Sequence, residues 1–179
     1  MSEAATQMGI ARARAGRPPA VTAQNVRAAL AEVTDPELPM LSVVDLGIIY
    51  RVSVAPDPGP IEIEILPTFV GCPALELIKT SISDRLSRFG RPITVSATFE
   101  IPWTSDRITP EGRAALLSAG IAPPSASATS DLIGLEPRVP CPYCGSRRTH
   151  LENLFGPAQC RTIRYCDDCR QPFEAIKPV

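Results

Sequence analysis

The sequence predicts an α+β fold, in which a small mixed α/β sandwich domain with the order α-β-β-α-β-α precedes a cysteine-rich β-hairpin module. Three observations predict it. Helical and strand periodicities alternate across residues 21–121. A Pro-, Ser- and Ala-rich stretch over residues 122–137 is typical of a linker. Five of the six cysteines then lie within residues 138–179, which we take as the second unit.

The first half of the sandwich domain is predicted to be one helix and two strands. Val26, Leu30 and Val33 recur on one helical face, and Thr22 is placed to cap the first turn. After DPELP the pattern changes to VVDLGIIYRVSV and then to IEIEIL, with PDPGP between them, which predicts two strands joined by a turn. Strict alternation over residues 61–65 predicts a half-buried second strand.

The second half is predicted to be a helix, a strand and a short helix. Pro73 suits the first position of a helix, and Gly90 suits its end. The apolar residues between them repeat at helical spacing: Leu75, Ile78, Ile82 and Leu86. The β-branched run ITVSATFE over residues 93–100 predicts the third strand, and TPEGRAALLSAG over residues 109–120 predicts the last helix.

Charge and hydropathy exclude several classes of protein. The chain has 18 basic and 19 acidic side chains, so no global field attracts nucleic acid or an anionic membrane. Residues 21–104 carry ten acidic and six basic side chains, whereas residues 138–179 carry four and seven. With neither a long apolar run nor the pattern of a secretory signal, we expect a cytoplasmic protein without membrane association. Residues 1–20 have little to bury and are predicted to be a disordered, slightly basic tail.

Two CxxC pairs give the strongest chemical signal. Cys141 and Cys144 form one pair, Cys166 and Cys169 the other, and 21 residues separate them. In a reducing compartment such pairs usually hold metal rather than disulfides. Each turn, the first helped by Gly145, aims two thiolates at one point, so two turns complete a tetrahedral shell suited to Zn²⁺. We predict a structural zinc ribbon whose folding depends on the metal, with a rubredoxin-like iron site as the alternative.

Other residues between the pairs have less specific interpretations. Cys160 and His150 are alternative metal ligands if the hairpin register differs from the expected one, and otherwise a spare cysteine and a surface histidine. Four arginines lie on the predicted strands: Arg147, Arg148, Arg161 and Arg164. They could form a phosphate patch, but few aromatic rings accompany them and this number of basic residues is ordinary for a surface. We therefore disfavour nucleic acid as the partner.

The sixth cysteine, Cys72, lies alone directly before Pro73. Free backbone N–H groups and the helix dipole would lower its thiol pKa there, favouring reaction with electrophiles and soft metals. From position alone, a small buried apolar residue is an equally good interpretation. The predicted fold could bring the loop carrying Asp35, Glu37 and Asp45 beside this thiol, with solvated loop acids as the simpler alternative.

These segments resemble known families. DPELP, VDLGII and PTFVGCPALELIKTSI are similar to the small α+β domain shared by the cytosolic iron–sulfur targeting factor and the bacterial assembly factor SufT. With IPWTSDRITPEGRAALLSAGIAPP, VPCPYCGS and YCDDCRQPFEAIK, residues 22–179 resemble the PaaD family, a component of bacterial phenylacetyl-CoA ring epoxidase systems. The resemblance aligns Cys72 with a recurring lone cysteine, and Asp35, Pro36 and Glu37 with an acidic motif.

The resemblance implies an accessory role in aerobic phenylacetate catabolism, beside a multisubunit oxygenase with a di-iron subunit and a flavin- and iron–sulfur-containing reductase. Such a component would mature or repair these metal centres, holding iron or an iron–sulfur cluster transiently through Cys72, Asp35 and Glu37. A homodimer is compatible with the family. The single histidine and the lack of Glu-x-x-His pairs and of a Gly-rich phosphate loop argue against autonomous catalysis. An electron-transfer component and a nucleic-acid-binding ribbon protein are the alternatives.

Overall fold

The computed structural model describes residues 20–69, 71–124 and 139–178, and its elements confirm the predicted α+β order. The sandwich domain contains α1 (Ala23–Leu30), β1 (Ile49–Val54), β2 (Ile61–Ile65), α2 (Leu75–Leu86), β3 (Ile93–Ala97) and α3 (Pro110–Ser118). Short 3-10 turns follow α2 and precede α3. The predicted tail and most of the predicted linker lie outside the described residues. Across the described ranges, no helix has both the length and the hydropathy needed to cross a membrane.

The helix starts follow local hydrogen bonding. Thr22 caps α1, accepting the Asn25 N–H while the Asn25 side chain accepts the Thr22 N–H, so both ends of a capping box are formed. The expectation that Pro73 opens α2 is wrong by two residues. The Leu75 N–H donates to the Cys72 carbonyl at 3.2 Å, and this tight turn precedes the helix proper. Cys72 therefore lies on a turn that leads into the helix.

The three strands of the sandwich domain form one mixed sheet in the order β1-β2-β3. β1 is antiparallel to β2, and β2 is parallel to β3, with α2 as the crossover. The alternation in β2 is confirmed, because its three isoleucines are fully buried and its two glutamates are not. β1 begins at Ile49, later than the apolar run suggests. Residues 43–47 form a turn that ends at Gly47, whose φ of +70° suits glycine. A side chain could not replace it, because a Cβ there would lie 2.2 Å from the Arg107 carbonyl oxygen.

Helices α1 and α2 pack their apolar stripes into the sandwich core. Val26, Ala29 and Leu30 of α1 are buried together with three residues of α2: Ile78, Ile82 and Leu86. These positions are the ones that the 3.6-residue period marks, so burial of this face holds the helices in place. The sheet and helices thereby fix where the DPELP loop (residues 35–39) and Cys72 lie.

The C-terminal module differs from an isolated hairpin. It contains β5 (Thr149–Asn153), β6 (Arg161–Cys166) and β7 (Pro172–Ile176), which pair in antiparallel order. A two-residue strand from the end of the sandwich domain, β4 (Ile121–Ala122), pairs parallel to β7 and covers its open edge. Ile176 also joins the buried core of the sandwich domain. The ribbon is therefore docked on the sandwich domain through both backbone and side chains.

Candidate metal sites

The two CxxC pairs converge on one point. The Sγ atoms of Cys141, Cys144, Cys166 and Cys169 all lie within 4.8 Å of one another, and we call this the four-thiol site. Two Sγ–Sγ distances, Cys141 to Cys169 and Cys144 to Cys166, are 3.6 Å. A disulfide requires about 2.05 Å, whereas the edge of a tetrahedron with Zn–S bonds of about 2.3 Å is about 3.8 Å. The geometry fits a tetrahedral metal site, and His150 is exposed and outside it.

The backbone sets the direction of these thiols through two equivalent turns. The Gly145 N–H donates to the Cys141 carbonyl at 2.9 Å, and the Arg170 N–H donates to the Cys166 carbonyl at 2.8 Å. The residue after each pair has a left-handed backbone, with φ of 72° at Gly145 and 57° at Arg170. The turn expected at Gly145 is confirmed. Its counterpart at Arg170 carries no glycine, so the sequence did not indicate it.

The close spacing of the four thiols favours a bound cation. The Cys169 backbone N–H, followed by hydrogen bonds from neighbouring thiols, lowers the pKa of Cys166. Burial raises the pKa of Cys169 to about 12. Neighbouring thiols cannot all ionise without a compensating positive charge, and a bound metal ion supplies it. The donor set therefore fits a metal-binding zinc ribbon.

Three of the four arginines considered as a phosphate patch are buried or paired within the ribbon. Arg164 is buried, and the Arg161 guanidinium pairs with the Glu174 carboxylate at 2.6 Å. Arg148 pairs with Asp168. The Arg161 and Arg148 charges are therefore balanced by carboxylates of the ribbon, while Arg147 is exposed.

Cys72 is half-buried, and its thiol does not have the expected acidity. Burial raises its pKa, and the carboxylates of Glu37 and Asp35 raise it further. The backbone N–H groups of Ala74 and Leu75 act in the opposite direction, as the position before a helix predicts, but they are outweighed. The expected lowering of the pKa is therefore wrong, because tertiary burial and nearby negative charge dominate over the helix start.

Cys72 lines a small cavity between the sandwich domain and the ribbon, and Cys160 lines the same cavity. We call it the interdomain cavity; its volume is about 20 Å³. It is lined by Asp35, Glu37, Leu38, Leu46, Thr68, Cys72, Trp103, Cys160 and Ile176. Burial raises the pKa of Cys160 to about 11, with Glu37 as the next cause. The structure thus brings Cys72 beside Asp35 and Glu37, and it adds Cys160, which the sequence connected only with the four-thiol site.

The three loop carboxylates have different surroundings. Oδ1 of Asp35 accepts the N–H groups of Glu37 at 2.8 Å and Leu38 at 2.9 Å, so this buried side chain holds the DPELP loop in shape. Asp45 accepts the hydroxyls of Ser42 and Thr109, which ties its loop to the start of α3. Within the described residues, the Glu37 carboxylate makes no hydrogen bond or ion pair. Glu37 is therefore the carboxylate best able to bind a ligand.

An apolar groove adjoins the interdomain cavity. It has a volume of about 390 Å³ and is lined by Pro67, Thr68, Phe69, Thr98, Phe99, Ile101, Pro102 and Trp103. Two of these residues, Thr68 and Trp103, also line the cavity. Phe69, Phe99 and Ile101 are exposed. The groove is not visible in the sequence, because its residues come from two separate loops.

The solved structures to which this chain is similar each align with about half of it. A domain of unknown function from Bacillus anthracis is 28% identical, covers 52% of this chain and 89% of its own, and has a TM-score of 0.48. A Mycobacterium tuberculosis protein associated with Fe–S complex assembly and repair is 33% identical, covers 53% and 82%, and has a TM-score of 0.33. Both are similar to little more than half of the chain.

Sequence matches to families and relatives cover more of the chain. Residues 125–177 match the family model of the PaaD zinc beta ribbon domain, and residues 23–96 match that of the iron–sulfur cluster assembly protein. A Porphyromonas gingivalis Fe-S protein maturation auxiliary factor is 30% identical over 92 residues, which is 50% of this chain and 86% of that protein. An Escherichia coli K12 protein, provisionally named as the D component of 1,2-phenylacetyl-CoA epoxidase, is 35% identical over 163 residues. Since that match covers 90% of this chain and 95% of the relative, the resemblance is confirmed and the chain belongs to the PaaD family of phenylacetyl-CoA epoxidase components.

Proposed function

We propose that this protein is an accessory subunit of a phenylacetyl-CoA ring epoxidase system in aerobic phenylacetate catabolism. In this role it matures or repairs the iron–sulfur or di-iron centres of the oxygenase and reductase subunits and does not attack the aromatic ring itself. Family membership and the match to an iron–sulfur cluster assembly domain support the proposal. The observation that carries it is the presence of two sulfur sites of different kinds in one chain.

The four-thiol site has the properties of a permanent structural centre. Its ligands come from two rigid turns, and Cys141 and Cys166 are buried. A closed shell of four thiolates leaves no position for a substrate, so a zinc ion there stabilises the fold and is not exchanged. We assign zinc to this site and give the ribbon the role of a structural clamp.

Cys72 has the properties expected of a ligand for cargo that must leave again. It is half-buried at the interdomain cavity, and the nearby donors are carboxylates, which bind soft metals less tightly than thiolates do. An iron ion or cluster held here would be in equilibrium with a client. A tight, closed site would retain the metal and could not deliver it.

The proposal is tested by co-producing the chain with the oxygenase and reductase subunits and measuring the iron content of the partners. Cys72→Ala is expected to keep the fold and the ribbon zinc but to lower partner iron several-fold. Thr80→Ala, a change on the exposed side of α2, serves as the matched control and should behave as the wild type. Unchanged partner iron in Cys72→Ala would contradict the proposal.

The four-thiol geometry is also compatible with a second candidate function, electron transfer through a rubredoxin-like iron in place of zinc. Sγ atoms 3.6 Å apart suit tetrahedral iron as well as zinc. Protein purified anaerobically would then contain iron and bleach on reduction. A colourless preparation with one zinc per chain would exclude this candidate while leaving the accessory role intact.

A further inference from the structure

We propose that Cys160 of the ribbon and Cys72 of the sandwich domain are ligands of one metal site in the interdomain cavity, which takes a single divalent transition-metal ion as cargo with Glu37 as a third ligand. The inference rests on the proposed function. It adds a ligand from the second module and states the form of the cargo.

Three separate segments place these side chains at the same cavity. Cys72 lies on the turn before α2, Cys160 lies directly before β6, and Glu37 lies in the DPELP loop. The negative charges of Glu37 and Asp35 act on both thiols, so the two sulfur atoms and the carboxylates share one local environment. Neither module alone contains this set of donors.

Contacts around Cys160 hold it against the sandwich domain. Within the ribbon, the Cys160 carbonyl accepts the Lys177 N–H at 2.9 Å, which fixes Cys160 beside the end of β7. The neighbouring Arg161 pairs with Glu174 at 2.6 Å and donates to the Glu37 carbonyl at 3.4 Å, which links the ribbon to the DPELP loop. β4–β7 pairing and the buried Ile176 fix the same interface. The position of Cys160 is therefore set by the docking of the two modules.

The size of the cavity distinguishes between an ion and a cluster. Its volume of about 20 Å³ is close to the space that one water molecule needs, roughly 10 to 15 Å³. A single metal ion has a similar size, whereas an iron–sulfur cluster contains several iron and sulfide atoms. The cavity therefore fits a single ion, which a client could use for a di-iron centre or as one iron of a cluster.

The donor chemistry selects the class of ion. Two thiolates and a carboxylate suit Fe²⁺, Co²⁺ or Zn²⁺ better than Mg²⁺ or Ca²⁺, which prefer oxygen ligands. Binding converts both thiols to thiolates and releases two protons, with no change of oxidation state. Among the described residues, only the four-thiol site gathers three or more ligand atoms within 4.8 Å of one another. Side chains of the cavity must close around the ion, and this makes the site weaker than the ribbon.

The chain contains one tryptophan, Trp103, and it lines the interdomain cavity, which provides a local probe. Anaerobic zinc-loaded protein is titrated with Co²⁺ while thiolate-to-cobalt charge-transfer absorption, tryptophan fluorescence and released zinc are measured. We expect one further equivalent of Co²⁺ to bind, with new absorption, quenched fluorescence and no released zinc. Signals that appear only in proportion to zinc release would place the cobalt in the ribbon and overturn the inference.

Variants then identify the ligands. Cys72→Ser and Cys160→Ser are each expected to weaken binding of the second Co²⁺ at least tenfold, and Glu37→Gln several-fold. The matched control Glu76→Gln removes an exposed carboxylate that pairs with Lys79, and it should bind as the wild type. Wild-type binding by Cys160→Ser with loss in Cys72→Ser would overturn this inference and leave the proposed function standing. Wild-type binding by both variants would remove the ligand role of Cys72 as well.

A second measurement on wild-type protein covers the case in which Cys160→Ser fails to fold. Dibromobimane fluoresces strongly after it bridges two neighbouring thiols, and the ribbon thiols are protected by zinc. We expect a Cys72–Cys160 crosslink in peptide maps, formed more slowly when Co²⁺ is present. Labelling of either thiol without a crosslink would overturn the inference.

Discussion

The four thiols of the ribbon and the two thiols of the interdomain cavity differ in what positions them. Each set unites chain segments that are distant in sequence. In the ribbon, backbone turns direct the sulfur atoms, and opposite pairs lie 3.6 Å apart. In the cavity, the packing of two modules places both cysteines on the lining of one small space. Preorganisation by the local backbone therefore favours a permanent centre, and assembly by domain packing favours an exchangeable one.

The thiol pKa values are spread differently in the two sites. In the ribbon, the Cys169 backbone N–H lowers the pKa of Cys166, whereas burial raises the pKa of Cys169 to about 12. In the cavity, burial raises the pKa of both Cys72 and Cys160, and Glu37 adds to it. Both cavity thiols are therefore protonated at neutral pH, and a metal ion bound through them as proposed would have to displace two protons, which return to the sulfur atoms when the ion leaves.

The largest effect is expected from breaking the four-thiol site. Cys166→Ser removes a fully buried ligand, and structural zinc contributes apparent binding free energy of about 10 to 16 kcal/mol to folding of small modules. We expect loss of bound zinc and unfolding of residues 139–178. The measurements are zinc per chain and protection of that segment from proteolysis.

Cys72→Ser is the control for this experiment, because it changes a thiol outside the four-thiol site. It should retain one zinc per chain and a protected ribbon. A ribbon that stays protected after the metal is lost would show that docking on the sandwich domain, through β4 and Ile176, is sufficient to hold it.

Local patterns predicted the elements and the four-thiol site because each depends on neighbours in the sequence. The alternation over residues 61–65 is a property of one strand, and it was confirmed by burial of its isoleucines. The CxxC spacing likewise sets two thiols on one turn without reference to the rest of the chain. Features with a short-range physical cause are readable from the sequence alone.

The cavity could not be predicted in the same way, since its geometry depends on how the two modules pack. Cys160 lies 88 residues after Cys72, and no local pattern connects them. The prediction that the Cys72 thiol pKa is lowered was wrong for the same reason. The helix start is visible in the sequence, whereas burial and the nearby carboxylates of Glu37 and Asp35 are consequences of tertiary structure.

The next effect in size is a loss of stability at high pH. The pKa of Cys160 is about 11 in the folded chain, above the ordinary value of 9.0 that applies when unfolded. Below pH 9 the thiol is neutral in both the folded and the unfolded state, so its contribution to the free energy of unfolding is fully present. As the pH rises from 9 to 11 the unfolded state ionises first, so the free energy of unfolding falls, by on the order of 1 kcal/mol after solvent screening.

Urea unfolding of the zinc-loaded chain across this pH window measures the loss. Cys160→Ser removes the titrating group but leaves the ribbon thiols unchanged, so it should lose less stability between pH 9 and 11 than the wild type. Equal losses in the two proteins would show that Cys160 is not buried in the folded state and would weaken the distinction between cavity and ribbon.

The smallest effect concerns the two turns that direct the ribbon thiols. Arg170 has a left-handed backbone at a position equivalent to Gly145, and a non-glycine residue there costs about 1 kcal/mol. Arg170→Gly is therefore expected to raise the free energy of unfolding by about 0.5 to 1 kcal/mol. Gly145→Ala should lower it by about 1 kcal/mol, through backbone strain alone, since no atom lies within 4 Å of the added Cβ.

Thermal unfolding of the zinc-loaded variants measures both changes, and the opposite signs make each variant the control for the other. If the backbone of the turns directs the ribbon thiols, zinc affinity should follow the same order, because a less strained turn presents its two sulfur atoms at lower cost. Binding of Co²⁺ at the interdomain cavity should not change, since neither turn lines it. An effect of either substitution on the cavity would mean that the two sulfur sites are coupled through the docked ribbon and do not act independently.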